Sequence, residues 1–466
     1  MSIGGTAKPR VCVVGAGSSG IAACKELYVR GIPFEAFEAG DRVGGNWVFK
    51  NKNGVSAAYR SLHINTSRDR MQYADFPMPR DYPDFPRHDL IADYFDAYVD
   101  HFGFRHKIAF ETPIDHIARR PGGTYDVTLR GGEVRHFDAV AVANGHHFAP
   151  AWPDPPPEGA FGGIAMHAHD YIDPDDPHPL RGKRVIVVGM GNSAMDIATE
   201  LSRPGAAERV VLSTRRGAYV IPHYLLGRPL DSFSVLRPPL PIALRARIGR
   251  AFHRIAVGRM RDYGLPEPAH DFHEAHPTIS SEVLPQLGRG AITPRPGIRR
   301  LEDRRVVFDD GSEEPADAII YCTGYEVSFP FFDPSFISAP DNRLPLFLRV
   351  FRPEYPDLFF VGLLQPLGAV MPLAEAQAKW ITAYLRGEYV LPGREAMERR
   401  IARDERAMRR RYVASPRHTM QVDFDDYLRE LRTEMRRGRR RARQTAAPLS
   451  ERRRAPRLKT PVRRRR

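Results

Sequence analysis

The chain lacks any run of about 18 apolar residues, the length a membrane-spanning helix needs, so no helical span is expected. Residues 1–9 lack the apolar core of a secretory signal. Cysteine is scarce: Cys12, Cys24 and Cys322 are the only three in 466 residues. None makes a CxxC pair or a metal-type spacing, which excludes a disulfide framework and a redox cysteine pair. A reducing, cytoplasmic setting is the expectation. No Ser/His/Asp set and no metal-ligand cluster stands out either, so hydrolytic and metal chemistry have little support.

Acidic balance is missing at one place. The net charge is +14, and residues 436–466 alone carry 14 Arg, one Lys and one Glu. The rest of the chain is neutral. This tail has few large apolar residues and is expected to be disordered. It is a candidate for RNA, DNA or a peripheral anionic membrane contact, or simply a solvated extension.

What is present begins at Val11–Val14, a short β-branched run that reads as a buried parallel strand. Gly15, Ala16, Gly17, Ser18, Ser19 and Gly20 follow as GxGxxG, and residues 21–30 have helical apolar spacing. Strand, glycine turn and helix in that order form a dinucleotide-binding fingerprint. The helix N-terminus faces a pyrophosphate. A second strand, residues 33–37, ends in Glu38, an acid placed to accept hydrogen bonds from ribose hydroxyls. Gly44 and Gly45 with Asn46 and Trp47 come next, a turn that admits close backbone approach and suggests a flavin neighbourhood.

Residues 59–86 read as an irregular but ordered loop, because Leu62, Ile64, Met71, Tyr73, Phe76 and Phe85 need burial. A helix is expected over 89–102, a β-meander over 108–138 and a buried strand over 139–145. The Pro-rich stretch 149–157 reads as a rigid crossing between units.

A second fingerprint then appears. Residues 183–188 are a strand, Gly189 to Ala194 is GxGxxA through Gly191, Asn192 and Ser193, and a helix follows, with Asp196 near its start. The next strand, residues 209–212, ends in Ser213-Thr214-Arg215-Arg216 rather than in an acid. Arginine there suits the 2′-phosphate of NADP. Residues 237–260 alternate Leu240, Leu244, Ile248, Phe252 and Ile255 with arginines. That pattern fits a basic amphipathic helix on a membrane surface or a core helix with an exposed basic face. Strands return at 306–308, 318–325 and 358–362, and a long helix is expected near Leu373.

The fold expected is therefore α/β, with two Rossmann-like dinucleotide-binding domains. The NADP domain is inserted in the FAD domain. The boundaries read 1–155 for the first part of the FAD domain and 156–317 for the NADP domain. Residues 318–435 form the second part of the FAD domain, and 436–466 the disordered tail.

Residues 161–171 match FxGxxxHxxxY, with His167 and Tyr171 at the marked positions. On this motif the chain resembles the flavin-containing monooxygenases. Other stretches are similar to that family: residues 37–47, the Asn65-Thr66-Ser67 triplet, GMGNSAMDIA, Thr323-Gly324-Tyr325, Leu364 to Gly368, and residues 374–380 and 415–419. The resemblance covers residues 8–432. It implies FAD and NADPH as cofactors, dioxygen and a small molecule as substrates, and a C4a-hydroperoxyflavin that passes one oxygen to an amine or thioether. Asn65 matches the family's active-site Asn and Gln365 a flavin-contacting Gln. FxGxxxHxxxY reads as a structural motif, with His167 at a domain junction; a His between two halves acting as a base is the alternative. The basic tail departs from the animal enzymes, whose C-termini are typically hydrophobic anchors. Baeyer–Villiger oxygenation of ketones uses the same cofactors, although its motif usually ends in Trp where this chain has Tyr171. An uncoupled NADPH oxidase is the remaining enzymatic alternative.

Overall fold

Val11–Val14 is buried on both faces, as three valines in four residues favour, and it forms an interior strand. In this computed structural model the described residues are 8–236, 242–271, 274–275, 277–411 and 419–446. The strand sits in a six-stranded sheet with Phe34–Phe37 and Ala139–Val142 parallel on either side. Ile108–Ala109 extends one flank. Tyr355–Phe360 and Phe351–Arg352 extend the other. Order reverses at Val11–Val14, which opens a crevice at the carboxyl ends of these strands.

The helices Ser18–Val29, His88–Phe102 and Met371–Leu385 pack on this sheet around one continuous apolar cluster. The meander is present as Ile114–Arg119, Tyr125–Leu129 and Val134–Phe137, all antiparallel. In the loop 59–86, Ile64 and Tyr73 are buried as their chemistry requires. A single helical turn, Arg68–Met71, interrupts it.

A second, all-parallel sheet runs Ile164–His167, Ala318–Tyr321, Arg184–Val188, Arg209–Ser213 and Ile292–Arg295. This corrects the expected boundary. Ala318–Tyr321 does not return the chain to the first sheet; it is an interior strand of the second. A run of four buried apolar residues suits the interior of either sheet, so only pairing decides.

The tail boundary is corrected as well. A helix spans Phe424–Ala446, so residues 436–446 are ordered rather than disordered. Tyr427 and Leu431 bury one face of it against the first unit, with Met435 partly buried beside them. The Tyr389 hydroxyl donates to Glu434 Oε1 at 2.9 Å, and Arg441 Nε donates to the Val390 carbonyl at 2.8 Å. A Cβ at Gly438 would overlap the Tyr389 ring. Charge counting missed this because the arginines other than Arg441 occupy the outer face of an amphipathic helix. Residues 447–466 and 412–418 lie outside the described residues, and with them the remainder of the basic tail and most of the 415–419 stretch.

The helix expected within 237–260 spans Ile242–Ala256. His253 is buried and bonded to the Val220 carbonyl, whereas Ile255 is 88% exposed. Leu240 lies outside the described residues. No described helix is long and apolar enough to cross a membrane.

The motif at 374–380 serves packing. Glu375 and Gln377 are buried; Gln377 Oε1 accepts the Gly362 N–H at 2.8 Å and its Nε2 donates to the Tyr427 hydroxyl at 2.7 Å. Lys25, also buried, pairs with Glu26 at 2.7 Å and with Asp75 and Glu375. Removing one partner from such a buried set typically costs about 3–5 kcal/mol.

Candidate functional site

The turn after Val11–Val14 needs glycine for two different reasons. Gly15 has φ +91°, a left-handed conformation. Gly20 has ordinary backbone, but a Cβ there would overlap the Gly15 carbonyl oxygen. Gly17 and Gly45 face each other so closely that a Cβ on Gly45 would stand 3.0 Å from the Gly17 Cα. The two turns thus form a slot walled by backbone.

Glu38 closes the end of Phe34–Phe37. One carboxylate oxygen accepts the Ala16 N–H and the other the Gly40 N–H, both at 2.7 Å. Burial pushes this carboxyl above the usual carboxylate range, while the backbone donors oppose that shift. The acid is pre-oriented at the cavity wall with lone pairs still to offer.

The second turn repeats the design. Gly189 has φ +140°, and a Cβ there would lie 2.6 Å from the Cys322 carbonyl oxygen. Gly191 caps the helix Asn192–Leu201, leaving its first N–H groups directed outward. Arg215 and Arg216 stand exposed past the end of Arg209–Ser213, with no ion pair among the described residues.

One cavity of about 2370 Å³ joins the two turns. It exceeds the ~300–1,000 Å³ of a drug-sized site, which suits two dinucleotides and a substrate. Its wall includes Gly15, Gly17, Ser18, Ser19, Glu38, Gly45, Asn46, Trp47, Asn65 and Thr66 from the first unit. Gly189, Gly191, Asn192, Ser193, Arg215 and Arg216 face it from the second, with Thr323, Gly324 and Gln365 beside them.

Four expected contacts lie off the wall. The Ala16 N–H is spent on Glu38, so it is not offered to a phosphate. Gly20 and Ala194 are buried where helix meets strand. Asp196 accepts the Tyr59 hydroxyl, and burial pushes its carboxyl up to about 6. Tyr59 belongs to the first unit and Asp196 to the second, so this bond ties the units together. Two polar side chains on the wall also have structural partners. Asn46 Oδ1 accepts the Ala57 N–H at 2.8 Å, and Asn192 Oδ1 accepts the Ile279 N–H at 2.9 Å.

The FxGxxxHxxxY motif is built into the second unit. Tyr171 is fully buried and donates to Glu200 Oε2 at 2.8 Å. His167 is buried, and its Nδ1 accepts the His169 N–H at 3.0 Å. Burial lowers its pKa to about 4, so the ring is neutral near pH 7.

Asn65 lies on the cavity wall, and the same wall includes Leu62, Phe85, Ile221, His223, Leu225 and Phe252. His223 Nε2 is 3.4 Å from Asn65 Oδ1. Ser67 N donates to Asp231 Oδ2 at 2.6 Å, binding the same loop to the second unit. His223 and Asp231 carry no sequence signal of their own: His223 stands between two strands of two residues, and Asp231 in the short helical segment Leu230–Leu236.

Comparison with known proteins agrees with this geometry. Residues 8–438 match the family described as flavin-binding monooxygenase-like. The chain is similar to flavin-containing monooxygenase 5 of Oryctolagus cuniculus, 34% identical over 444 residues, covering 91% of this chain and 82% of that protein. It is also similar to dimethylaniline monooxygenase [N-oxide-forming] 2 of Rattus norvegicus, 34% identical over 454 residues with the same coverage. Its fold resembles that of S-allyl-L-cysteine S-oxygenase from Allium sativum, with a TM-score of 0.68, 24% identity, and 94% of this chain and 93% of that one covered. With both glycine turns, the acid that ends the second strand and one shared cavity in place, the chain belongs to the flavin-binding monooxygenase-like family and is a flavoprotein monooxygenase.

Proposed function

We propose that this chain uses FAD and NADPH to transfer one oxygen atom from dioxygen to a soft nitrogen or sulfur nucleophile. The balance is substrate, dioxygen, NADPH and a proton giving substrate oxide, water and NADP+. The observation that supports it most is the single cavity bounded by an acid-ended nucleotide turn, an arginine-ended one and Asn65. Similarity to an N-oxide-forming and an S-oxygenating protein favours those two substrate classes.

In this reading Gly15, Gly17, Ser18 and Ser19 hold the FAD pyrophosphate at the helix N-terminus, and Glu38 holds its ribose. Gly45, Trp47, Thr323, Gly324 and Gln365 line the remainder of that site. Gly189, Gly191 and Ser193 hold the NADPH pyrophosphate, and Arg215 with Arg216 its 2′-phosphate. When bound, FAD supplies electron transfer from NADPH and activation of dioxygen. The Asn65 amide, a donor and an acceptor in one group, holds the reacting partners in register at the meeting of both sites. The apolar wall of Leu62, Phe85, Ile221 and Phe252 excludes water and receives the substrate.

The direct check is product formation by purified, flavin-loaded protein supplied with NADPH, oxygen and either a thioether or a tertiary amine. Substrate oxide equal to NADPH consumed is the expected outcome. Oxide formed only from a ketone would move the assignment to Baeyer–Villiger chemistry. Hydrogen peroxide equal to NADPH under every substrate would make the chain an oxidase.

Arg215→Ala is expected to raise KM for NADPH about tenfold or more and leave KM for NADH unchanged, because a charge-assisted phosphate bond contributes about 1.5–3 kcal/mol. Equal losses for the two nucleotides would remove Arg215 from the 2′-phosphate site.

A further inference from the structure

We propose that His223 is a positioning residue for Asn65: its imidazole N–H holds the Asn65 carbonyl oxygen so that the amide NH2 faces the cavity. This rests on the role proposed for Asn65 and adds the group that orients it.

The orientation follows from a chain of donors and acceptors. The backbone N–H of His223 donates to Ser281 Oγ at 2.9 Å. The same hydroxyl lies 3.1 Å from His223 Nδ1. The hydroxyl has one proton to give, and in the proposed arrangement it gives that proton to Nδ1, which makes Nδ1 the acceptor. In that tautomer the ring proton resides on Nε2, facing the oxygen of Asn65. Nε2 stands 3.4 Å from Asn65 Oδ1, so the amide presents its oxygen to His223 and its NH2 elsewhere. Burial lowers the His223 pKa, which keeps the ring in this neutral form. Phe85 meets the ring edge-on, with centroids 4.8 Å apart, and limits its rotation.

The contact crosses the molecule. Asn65 follows Ile64 in the first unit, whereas His223 sits between the strands Val220–Ile221 and Tyr224–Leu225 of the second. Asp231, in the segment Leu230–Leu236, receives the Ser67 N–H from the same loop. Two hydrogen bonds from residues 223–231 thus hold the 65–67 turn, and one reaches the amide itself. The orientation of Asn65 is set only when the two units are in register.

The test compares His223→Leu, His223→Gln, Asn65→Ala and the His223→Leu/Asn65→Ala pair as flavin-loaded proteins with matched melting temperatures. Two quantities are read: substrate oxide per NADPH, and the affinity for NADP+ from quenching of flavin fluorescence. His223→Leu is expected to lower coupling about tenfold and to weaken NADP+ binding several-fold, roughly the loss of one hydrogen bond. His223→Gln, which keeps an N–H near the Nε2 position, recovers most of both. The pair behaves as Asn65→Ala alone, since a positioning group has nothing left to position. Normal coupling and NADP+ affinity in His223→Leu, beside an uncoupled Asn65→Ala, would overturn the proposal. So would additive losses in the pair, or a Gln variant no better than Leu. A fully coupled Asn65→Ala would instead defeat the reading of Asn65, and the role of His223 with it.

Discussion

Asn65→Ala is expected to keep its flavin and still oxidise NADPH, but to form substrate oxide about 100-fold more slowly, with hydrogen peroxide accounting for the difference. The magnitude is that of losing one pre-oriented hydrogen-bond group at a reacting centre. Asn65 is half-buried on the cavity wall, and its only described side-chain partner is His223. Truncation therefore leaves the core intact, and the loss falls on chemistry rather than on folding. The measurement is oxide and peroxide quantified together against NADPH consumed. Unchanged oxide yield with normal coupling would refute the role.

The second large effect separates two glycines three residues apart. Gly20→Ala places a methyl on the Gly15 carbonyl oxygen, a backbone atom that cannot move without opening the strand–helix junction. Overpacking of this kind costs about 1–3 kcal/mol or more, and here it distorts the turn proposed to receive the pyrophosphate. Gly20→Ala is expected to express poorly, melt at least several degrees lower and purify without flavin. Gly17→Ala differs. Its Cβ would meet nothing nearer than the Gly45 Cα at 3.6 Å, an ordinary contact, but it would project into the cavity slot. That variant is expected to keep the wild-type melting temperature of the flavin-free protein and to lose flavin affinity. Absorbance at the flavin band, with thermal unfolding of both flavin-free variants, distinguishes the two. A flavin-replete Gly20→Ala of normal stability would contradict the packing argument.

Both fingerprints were readable because they are local. Strand, turn and helix follow one another within about 20 residues, and each glycine has a steric reason to be there. The different ends of the following strands, Glu38 and Arg215-Arg216, were readable for the same reason. The strand Ala318–Tyr321 was not. Its buried apolar residues fit either sheet, and its partners, Ile164–His167 and Arg184–Val188, are more than a hundred residues away. Arg436 to Ala446 failed in another way. Net charge predicts solvation, but Glu434, Gly438 and Arg441 lie on one helical face and dock on Tyr389.

The candidate site divides along the same line. Sequence supplied the residues proposed to touch a phosphate, a ribose or a flavin, since those ligands demand glycine, acid or arginine at set positions after a strand. Tertiary structure decided which of them reach the cavity. It removed Ala16, Gly20, Ala194 and Asp196 from the wall, because their polar groups or their space are already used by the protein itself. It added His223 and Asp231, which no spacing rule marks. The sequence by itself determined an enzyme with two nucleotide turns of opposite end-chemistry. Only the packing of the two units brought Asn65 against His223, because a hydrogen bond between residues 158 positions apart depends on how the sheets are set against each other.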